Sequence, residues 1–312
     1  MKGHPLHLRH LISIADLSKE EILSILDMAQ GIKKNPIKKV FKNKILASCF
    51  FEPSTRTRLS FESAMIRLGG QVIGFSDANS ISEKKGETLH DSIQVISKYA
   101  DILVIRHPLD GAARLASEVS SIPVINAGDG TNQHPTQTLL DLFTIRECQG
   151  RLEGIQLAMV GDLKHARTIH SLALGCTHFG MRLFFVSQEQ LTMPDHILQD
   201  LREKGIKFSF HKSVEEIIAK ADIIYMTRLQ KERLGEGEYE TLKDPFVMTE
   251  KTLESAKKNL KILQPLPRTH EIDRSVDKTP FAYYFQQAEN GVYVRQALLY
   301  QTLHVKEAEK HG

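Results

Sequence analysis

A chain of 312 residues, 41% hydrophobic and 25% charged, has the make-up of an ordinary soluble globular protein and the length for two cores rather than one. Its 41 basic and 38 acidic residues leave a net charge of only +3, which gives no support to a nucleic-acid or membrane surface working through bulk positive charge. Cys49, Cys148 and Cys176 have neither metal-ligand spacing nor disulfide-scaffold density, and Cys49 sits in an apolar run as a small hydrophobe. With no signal-peptide pattern in MKGHPLHLRHLIS and no apolar run of membrane-spanning length, the expected location is cytoplasmic.

Taken in chain order, helical and strand patterns alternate. A helix over Lys19–Gln30 leads to a strand over Ile45–Phe51, a helix over Thr55–Leu68 and a strand over Val72–Phe75. A helix over Glu87–Tyr99, a strand over Asp101–Arg106, a helix over Ala112–Val119, a strand over Pro123–Ala127 and a helix over Pro135–Glu147 follow. Strands are then expected over Gln156–Gly161, Arg182–Ser187, Lys207–Phe210, Asp222–Thr227 and Lys261–Gln264. The helices between them are placed at Thr168–Phe179, Pro194–Glu203 and Val214–Lys220, and a terminal helix runs from Ala288 to Glu307. Short apolar strands alternating with helices argue for an α/β protein: two doubly wound domains with parallel sheets covered on both faces. The boundary is placed at Gln149-Gly150, giving domains 1–149 and 150–287, with the terminal helix, 288–312, packing back on the first. A cleft between two such domains is the expected place for a small-molecule site.

Ligands of open α/β sheets bind beyond the carboxyl ends of the strands, and the unusual polar residues here fall at those ends. After the first strand, Ser54-Thr55-Arg56-Thr57-Arg58 crowds three hydroxyls and two guanidiniums into a strand-to-helix turn. A cap needs one hydroxyl, and arginine opposes the dipole at a helix start, so the cluster reads as an oxyanion site for a group such as phosphate. Other strands end in Arg106-His107-Pro108, Gly128–Gln137, Leu163–Thr168, Thr227–Gln230 and Pro265–Arg268. One such cluster reads as a solvated loop; six in one chain read as a site. GDGTNQHPTQ has neither GxxxxGK[ST] nor GxGxxG, which leaves ATP and dinucleotides without support. His134 and Gln137, three apart, share a face at a helix start, either as a cap or as donors to a carbonyl and partners of an amide nitrogen. No HExxH, metal-carboxylate pair or CxxC appears, so no metal and no cofactor is expected, and the serines lack a base for nucleophilic catalysis.

FEPSTRTRLSFESA, KKGETLHDS, VIRHPLDGAARLA, NAGDGTNQHPTQTLLDLFTI, VGDLKHARTIHSL, YMTRLQKERL and LQPLPRTHEI, in this order, resemble the aspartate/ornithine transcarbamoylase family over essentially the whole chain. STRTR and HPTQ are common to both branches; KKGET, TRLQKER and PLPR point to the aspartate branch, and the cysteine loop of the ornithine branch is absent at Gln264–Pro267. The resemblance implies transfer of the carbamoyl group of carbamoyl phosphate to L-aspartate, giving N-carbamoyl-L-aspartate and phosphate in pyrimidine synthesis. By the same resemblance Ser54, Thr55, Arg56 and Thr57 hold the phosphate, while Thr57, Arg106 and His134 polarise the carbamoyl oxygen. Gln137 and the carbonyls of Pro265 and Leu266, followed by Pro267, orient the carbamoyl amino group. Arg167 and Arg228, with Gln230, take the two carboxylates of aspartate.

The resemblance also implies a homotrimer with shared active sites, in which a loop of one chain delivers Lys85 to its neighbour's phosphate and aspartate. The family's loop serine would fall at Ile81; Ser80 and Ser82 flank it, and Ser82 is assigned the phosphate contact with Ser80 as the alternative. Glu52 and Glu238 are implied to govern domain closure. Catalysis is then proximity and oxyanion stabilisation, with the leaving phosphate a candidate proton acceptor. Candidate partners beyond the trimer are regulatory or dihydroorotase-like chains. Two other readings stand beside this one: a transcarbamoylase for another amine such as ornithine, and a non-catalytic subunit, which would be expected to have lost Arg56, Arg106 or His134.

Overall fold

The computed structural model describes residues 10–76, 86–231, 242 and 246–308. The chain falls into two compact units, one holding residues through Leu140 and the terminal segment from Glu289, the other Asp141–Ala288.

The first unit is built on a four-stranded parallel sheet of order β2-β1-β3-β4, with β1 Ile45–Phe50, β2 Gln71–Phe75, β3 Ile102–His107 and β4 Val124–Asp129. Its helices are α1 Lys19–Lys34, α2 Thr55–Arg67, α3 Leu89–Ile96, α4 Ala112–Val119 and the start of α5, Pro135–Gln149. Successive side chains of a strand face opposite ways, so β1 serves two cores. Ala47 and Cys49 lie with Leu103 and Ile105 against Ile93 of α3 and Ala113 and Ala116 of α4. On the opposite face Ser48 donates to Glu62 of α2 at 3.1 Å. Cys49 is buried as a small hydrophobe, and burial pushes its thiol up to about 12. α1 starts on a reciprocal capping box between Ser18 and Glu21.

The second unit carries a five-stranded parallel sheet of order β7-β6-β5-β8-β9: β5 Gln156–Val160, β6 Arg182–Val186, β7 Phe208–His211, β8 Ile223–Met226 and β9 Lys261–Leu263. α6 Arg167–Cys176 and α7 Asp195–Glu203 connect its strands, and α8 Tyr284–Ala308 begins in this unit and ends in the first. Both sheets are the doubly wound parallel sheets expected from the alternation of patterns. The order reverses between β1 and β3 in one and between β5 and β8 in the other.

Helix ends shift by up to four residues from those expected, and two differences have a cause in burial. Val214–Lys220 is a run of turns in which Ile217 and Ile218 both bond back to the Val214 carbonyl. Val214, Ile217, Ile218 and Ala221 are all buried, so the apolar period marks the buried side of a segment too short to hold a regular helix. α8 begins at Tyr284 rather than Ala288, because the buried Tyr284 and Gln287 already belong to its inward face.

Candidate active site

The crevice of the first unit lies where β1 and β3 part. Phe50 pairs with Arg106 across these strands, so the β1–α2 turn and the end of β3 are neighbours by register, and the β4–α5 loop follows on the next strand. Ser54 is the N-cap residue of α2 yet makes no capping bond with its side chain, unlike Ser18 of α1. The hydroxyl is therefore not spent on the helix, which favours the oxyanion reading of this turn over the capping one. Thr55 and Arg56 are exposed and Thr57 is buried. Arg58 is held by Glu62 at 2.7 Å one turn on, and Arg56 lies exposed in the first turn of the helix.

Arg106, at the end of β3, forms a short ion pair with Glu52. Neighbouring His107 is buried, and its Nδ1 accepts the Leu109 N–H at 3.1 Å. Burial pushes its imidazole below the usual histidine range against the pull of Glu52 and Asp129, so it is a neutral support of the loop.

His134 is buried and directly precedes α5, whose first turn bonds back to it: the amides of Gln137 and Thr138 donate to its carbonyl at 3.0 and 3.2 Å. Gln137 is also buried. What shapes the loop before them is Asp129, which the sequence places in the Gly128–Gln137 cluster without a role of its own. Its carboxylate accepts from Asn126 Nδ2 (2.8 Å), Gln133 N–H (3.2 Å), Gly111 N–H (3.0 Å) and Asn132 Nδ2 (3.1 Å). Gly130 sits at φ +49, where a Cβ would lie 1.7 Å from Asp110 Oδ1, so only glycine fits this corner. An aspartate flanked by two glycines in GDG was the available signal.

In the second unit the carboxyl ends of the adjacent strands β5, β8 and β9 carry the expected groups. Arg167 opens α6 and is only 6% exposed; Arg228, beyond β8, donates from Nη1 to the Leu229 carbonyl at 3.0 Å. Gln230 donates to the Arg228 carbonyl at 3.1 Å. The two loops are joined by the buried Asp162, which accepts the His165 N–H at 3.0 Å and the Gln230 N–H at 3.1 Å. Gly161, at φ +114, lets β5 approach β8: a Cβ there would meet the Thr227 carbonyl at 2.1 Å. Beyond β9, Pro265 and Leu266 are half-buried and Pro267 is exposed. Arg268 pairs with Asp277 through Nη1 and Nη2 and lies over the Tyr284 ring at 5.2 Å. Ser82 and Lys85, with Ser80, Ile81 and Glu238, lie outside the described residues. Among the described residues no group of three metal-binding side chains occurs, and no helix is long and apolar enough to cross a membrane.

In each parallel α/β sheet two arginines lie at or just beyond the ends of the strands between which the order reverses, Arg56 and Arg106 at β1 and β3 and Arg167 and Arg228 at β5 and β8, a placement that suits an enzyme acting on anionic substrates. Residues 9–147 match the carbamoyl-phosphate-binding domain of aspartate/ornithine carbamoyltransferases, and residues 153–302 match the aspartate/ornithine-binding domain. The chain belongs to the aspartate/ornithine carbamoyltransferase family. Within it, the chain is similar to proteins named aspartate carbamoyltransferase catalytic subunit. That of Vibrio vulnificus (strain CMCP6) is 59% identical over 94% of this chain and 96% of its own, and that of Vibrio campbellii (strain ATCC BAA-1116) 57% over 95% and 97%. Among solved structures, the catalytic subunit of M. jannaschii aspartate transcarbamoylase is 50% identical with a TM-score of 0.88, covering 96% of this chain and 99% of that one. The Trypanosoma cruzi enzyme, solved with carbamoyl phosphate and aspartate, is 34% identical with a TM-score of 0.89, covering 95% and 97%.

Proposed function

We propose that the chain transfers the carbamoyl group of carbamoyl phosphate to L-aspartate, yielding N-carbamoyl-L-aspartate and phosphate, the committed step of pyrimidine (UMP) biosynthesis. The observation that carries this reading is the α2 start, where the Ser54 side chain makes no capping bond, on the turn that follows Phe50, the register partner of Arg106, at a topological switch point. Similarity to aspartate carbamoyltransferase catalytic subunits over nearly the full chain supports it.

Residues 1–149 form the carbamoyl-phosphate domain, joined by the helix 288–312, and residues 150–287 the aspartate domain. The amides and hydroxyls of Ser54–Thr57, the Arg56 guanidinium and Ser82 hold the phosphate. Thr57, Arg106 and His134 donate to the carbamoyl oxygen as it takes up charge. Gln137 and the Pro265 and Leu266 carbonyls accept from the amino group. Arg167, Arg228 and Gln230, with Lys85, hold aspartate so that its neutral amine faces the carbamoyl carbon. The amine lone pair forms the new C–N bond, the C–O bond to phosphate breaks, and the amine proton leaves with phosphate. No step calls on a metal or cofactor. The protein works in the cytoplasm as a homotrimer whose chains share active sites through Lys85, and it can carry regulatory or dihydroorotase-like chains.

The purified chain given carbamoyl phosphate is expected to form carbamoyl-aspartate with L-aspartate; product with L-ornithine and none with L-aspartate would overturn this reading. Hybrids of Lys85→Ala and Arg56→Ala chains, each inactive alone, are expected to regain activity. Verified hybrids as inactive as their parents would place Lys85 in its own chain's site.

A further inference from the structure

Between β9 and the residues that follow it, the sequence Gln264-Pro265-Leu266-Pro267 has an unusual hydrogen-bonding inventory. The two prolines have no N–H, so Leu266 supplies the only backbone donor of the Pro-Leu-Pro segment. That donor is consumed: Leu266 N–H bonds closely to Oε1 of Gln264. The carboxamide nitrogen of Gln264 spends its donors on the Pro267 carbonyl at 3.1 Å and on Glu271 Oε1 at 2.6 Å. Glu271 is held in turn by the Thr269 N–H at 2.9 Å and hydroxyl at 3.0 Å, both on Oε2. The orientation of the carboxamide is unambiguous, because a carboxylate only accepts and a backbone N–H only donates.

The backbone of Gln264 is anchored as firmly. Its N–H donates to Gln287 Oε1 at 2.8 Å, Gln287 Nε2 donates to Asp141 Oδ1 at 2.7 Å, and Tyr225 OH donates to Asp141 Oδ2 at 2.8 Å. Tyr225, Asp141, Gln287, Gln264 and Glu271 are each at most 2% exposed, so this is a buried chain of bonds reaching from β8 and α5 to the loop. It terminates on Leu266, which sits at φ +55, a conformation a leucine adopts only when its surroundings impose it. The carbonyls of Pro265 and Leu266, by contrast, accept no hydrogen bond from any described residue.

We infer that Gln264 is a positioning residue that turns the Pro265–Pro267 segment into a surface of acceptors only, selecting a ligand group that only donates. On the function proposed above, on which this inference rests, that group is the amino end of carbamoyl phosphate. Gln264 contributes in two ways: it holds Leu266 in its left-handed conformation, which fixes the direction of the two carbonyls, and it removes the one N–H that a carbonyl, methyl ketone or carboxylate end could have used. Glu271 sets the carboxamide, and the Gln287–Asp141–Tyr225 chain sets the backbone beneath it.

Three probes separate this role from a general structural one: phosphonoacetamide, acetonylphosphonate, in which methyl replaces the amino group, and inorganic phosphate. Titration calorimetry on the full-length protein is expected to show Gln264→Ala losing about tenfold in affinity for phosphonoacetamide, the worth of one or two hydrogen bonds, with acetonylphosphonate and phosphate unchanged. Glu271→Gln, isosteric and clear of the Leu266 backbone, is expected to show a smaller loss of the same selectivity. It decides the question if Gln264→Ala does not fold. Equal losses for all three probes, or no loss for phosphonoacetamide, in a folded variant overturn the inference. If the wild-type protein itself binds phosphonoacetamide no better than acetonylphosphonate and forms no carbamoyl-aspartate, the proposed function fails instead.

Discussion

Replacing Asp129 by asparagine tests the loop that carries His134 and Gln137. The carboxylate is 1% exposed and faces four donors, two on each oxygen. Asparagine keeps the shape but must turn its NH2 toward one of the two pairs, setting donor against donor. The Oδ2 pair is the cheaper to lose, because Asn132 is exposed and can turn to water, which leaves the Gly111 N–H unsatisfied. One bond to a buried charge is worth about 1.5–3 kcal/mol and the unsatisfied amide adds at least about 1, so the loss is at least about 2.5 kcal/mol. Against a typical total of about 5–15 kcal/mol, the variant folds but with a visibly lower urea midpoint. Function should change selectively. The amides of the α2 start hang from β1 and do not depend on Asp129, so inorganic phosphate should bind as before while phosphonoacetamide binds more weakly. Urea unfolding and two calorimetric titrations read out both effects. A stability loss under about 1 kcal/mol would refute the four-donor account; equal weakening of both ligands would detach the loop from the carbamoyl end.

Arg56→Ala is expected to leave the melting temperature nearly unchanged, since the side chain is exposed, while kcat/KM for carbamoyl phosphate falls by at least about 10- to 150-fold, the worth of one charge-assisted bond. Arg228→Ala should raise the KM for aspartate steeply and leave phosphonoacetamide affinity intact; steady-state kinetics with calorimetry distinguish the two. Asp222 is 3% exposed, and its desolvation is outweighed by bonds from Lys257 (2.8 Å), the Gln156 N–H (3.0 Å) and Asn259 (3.3 Å), which hold its carboxyl below the usual range. A depressed folded-state value means stability that is present above the unfolded-state value and lost as pH falls through the folded one. Asp222→Asn should therefore lower stability at neutral pH and flatten the decline into acid, as followed by urea midpoints from neutral pH downward.

The central strands were legible because a parallel strand buried on both faces is an apolar run that ends at a polar or glycine residue; the edge strands β2 and β7, half exposed, were legible from their apolar and aromatic residues alone, and the polar clusters collect at the strand ends. Arg56, Arg106, His134, Arg167 and Arg228 stood out for that reason. The groups that hold them did not. The glycines around Asp129 mark a tight corner and nothing marks Asp162; the meaning of both lies in which amides the fold brings round to them, Gly111 for one and Gln230 for the other. Gln264 is further from view, since its anchors at Asp141, Tyr225 and Gln287 are spread over more than a hundred residues of chain. Local pattern reports where a side chain goes. It does not report who satisfies a buried polar group, and here that satisfaction does the positioning.

On the proposed function, carbamoyl phosphate brings three chemically distinct ends, and the groups proposed to meet them sort the same way. A phosphate and a carbonyl oxygen only accept; the helix start at Ser54–Thr57 and the Arg106 guanidinium answer with donors. An amino group conjugated to a carbonyl only donates, and the Pro-Leu-Pro segment answers with acceptors whose sole competing N–H is already taken. A donor set against a donor, or an acceptor against an acceptor, costs about 1–3 kcal/mol when buried. Two or three such mismatches exceed the worth of any single correct contact. On the proposed assignment, orientation is enforced chiefly by what the wrong pose leaves unsatisfied. This is why quenching one N–H on Leu266 can matter as much as adding one guanidinium.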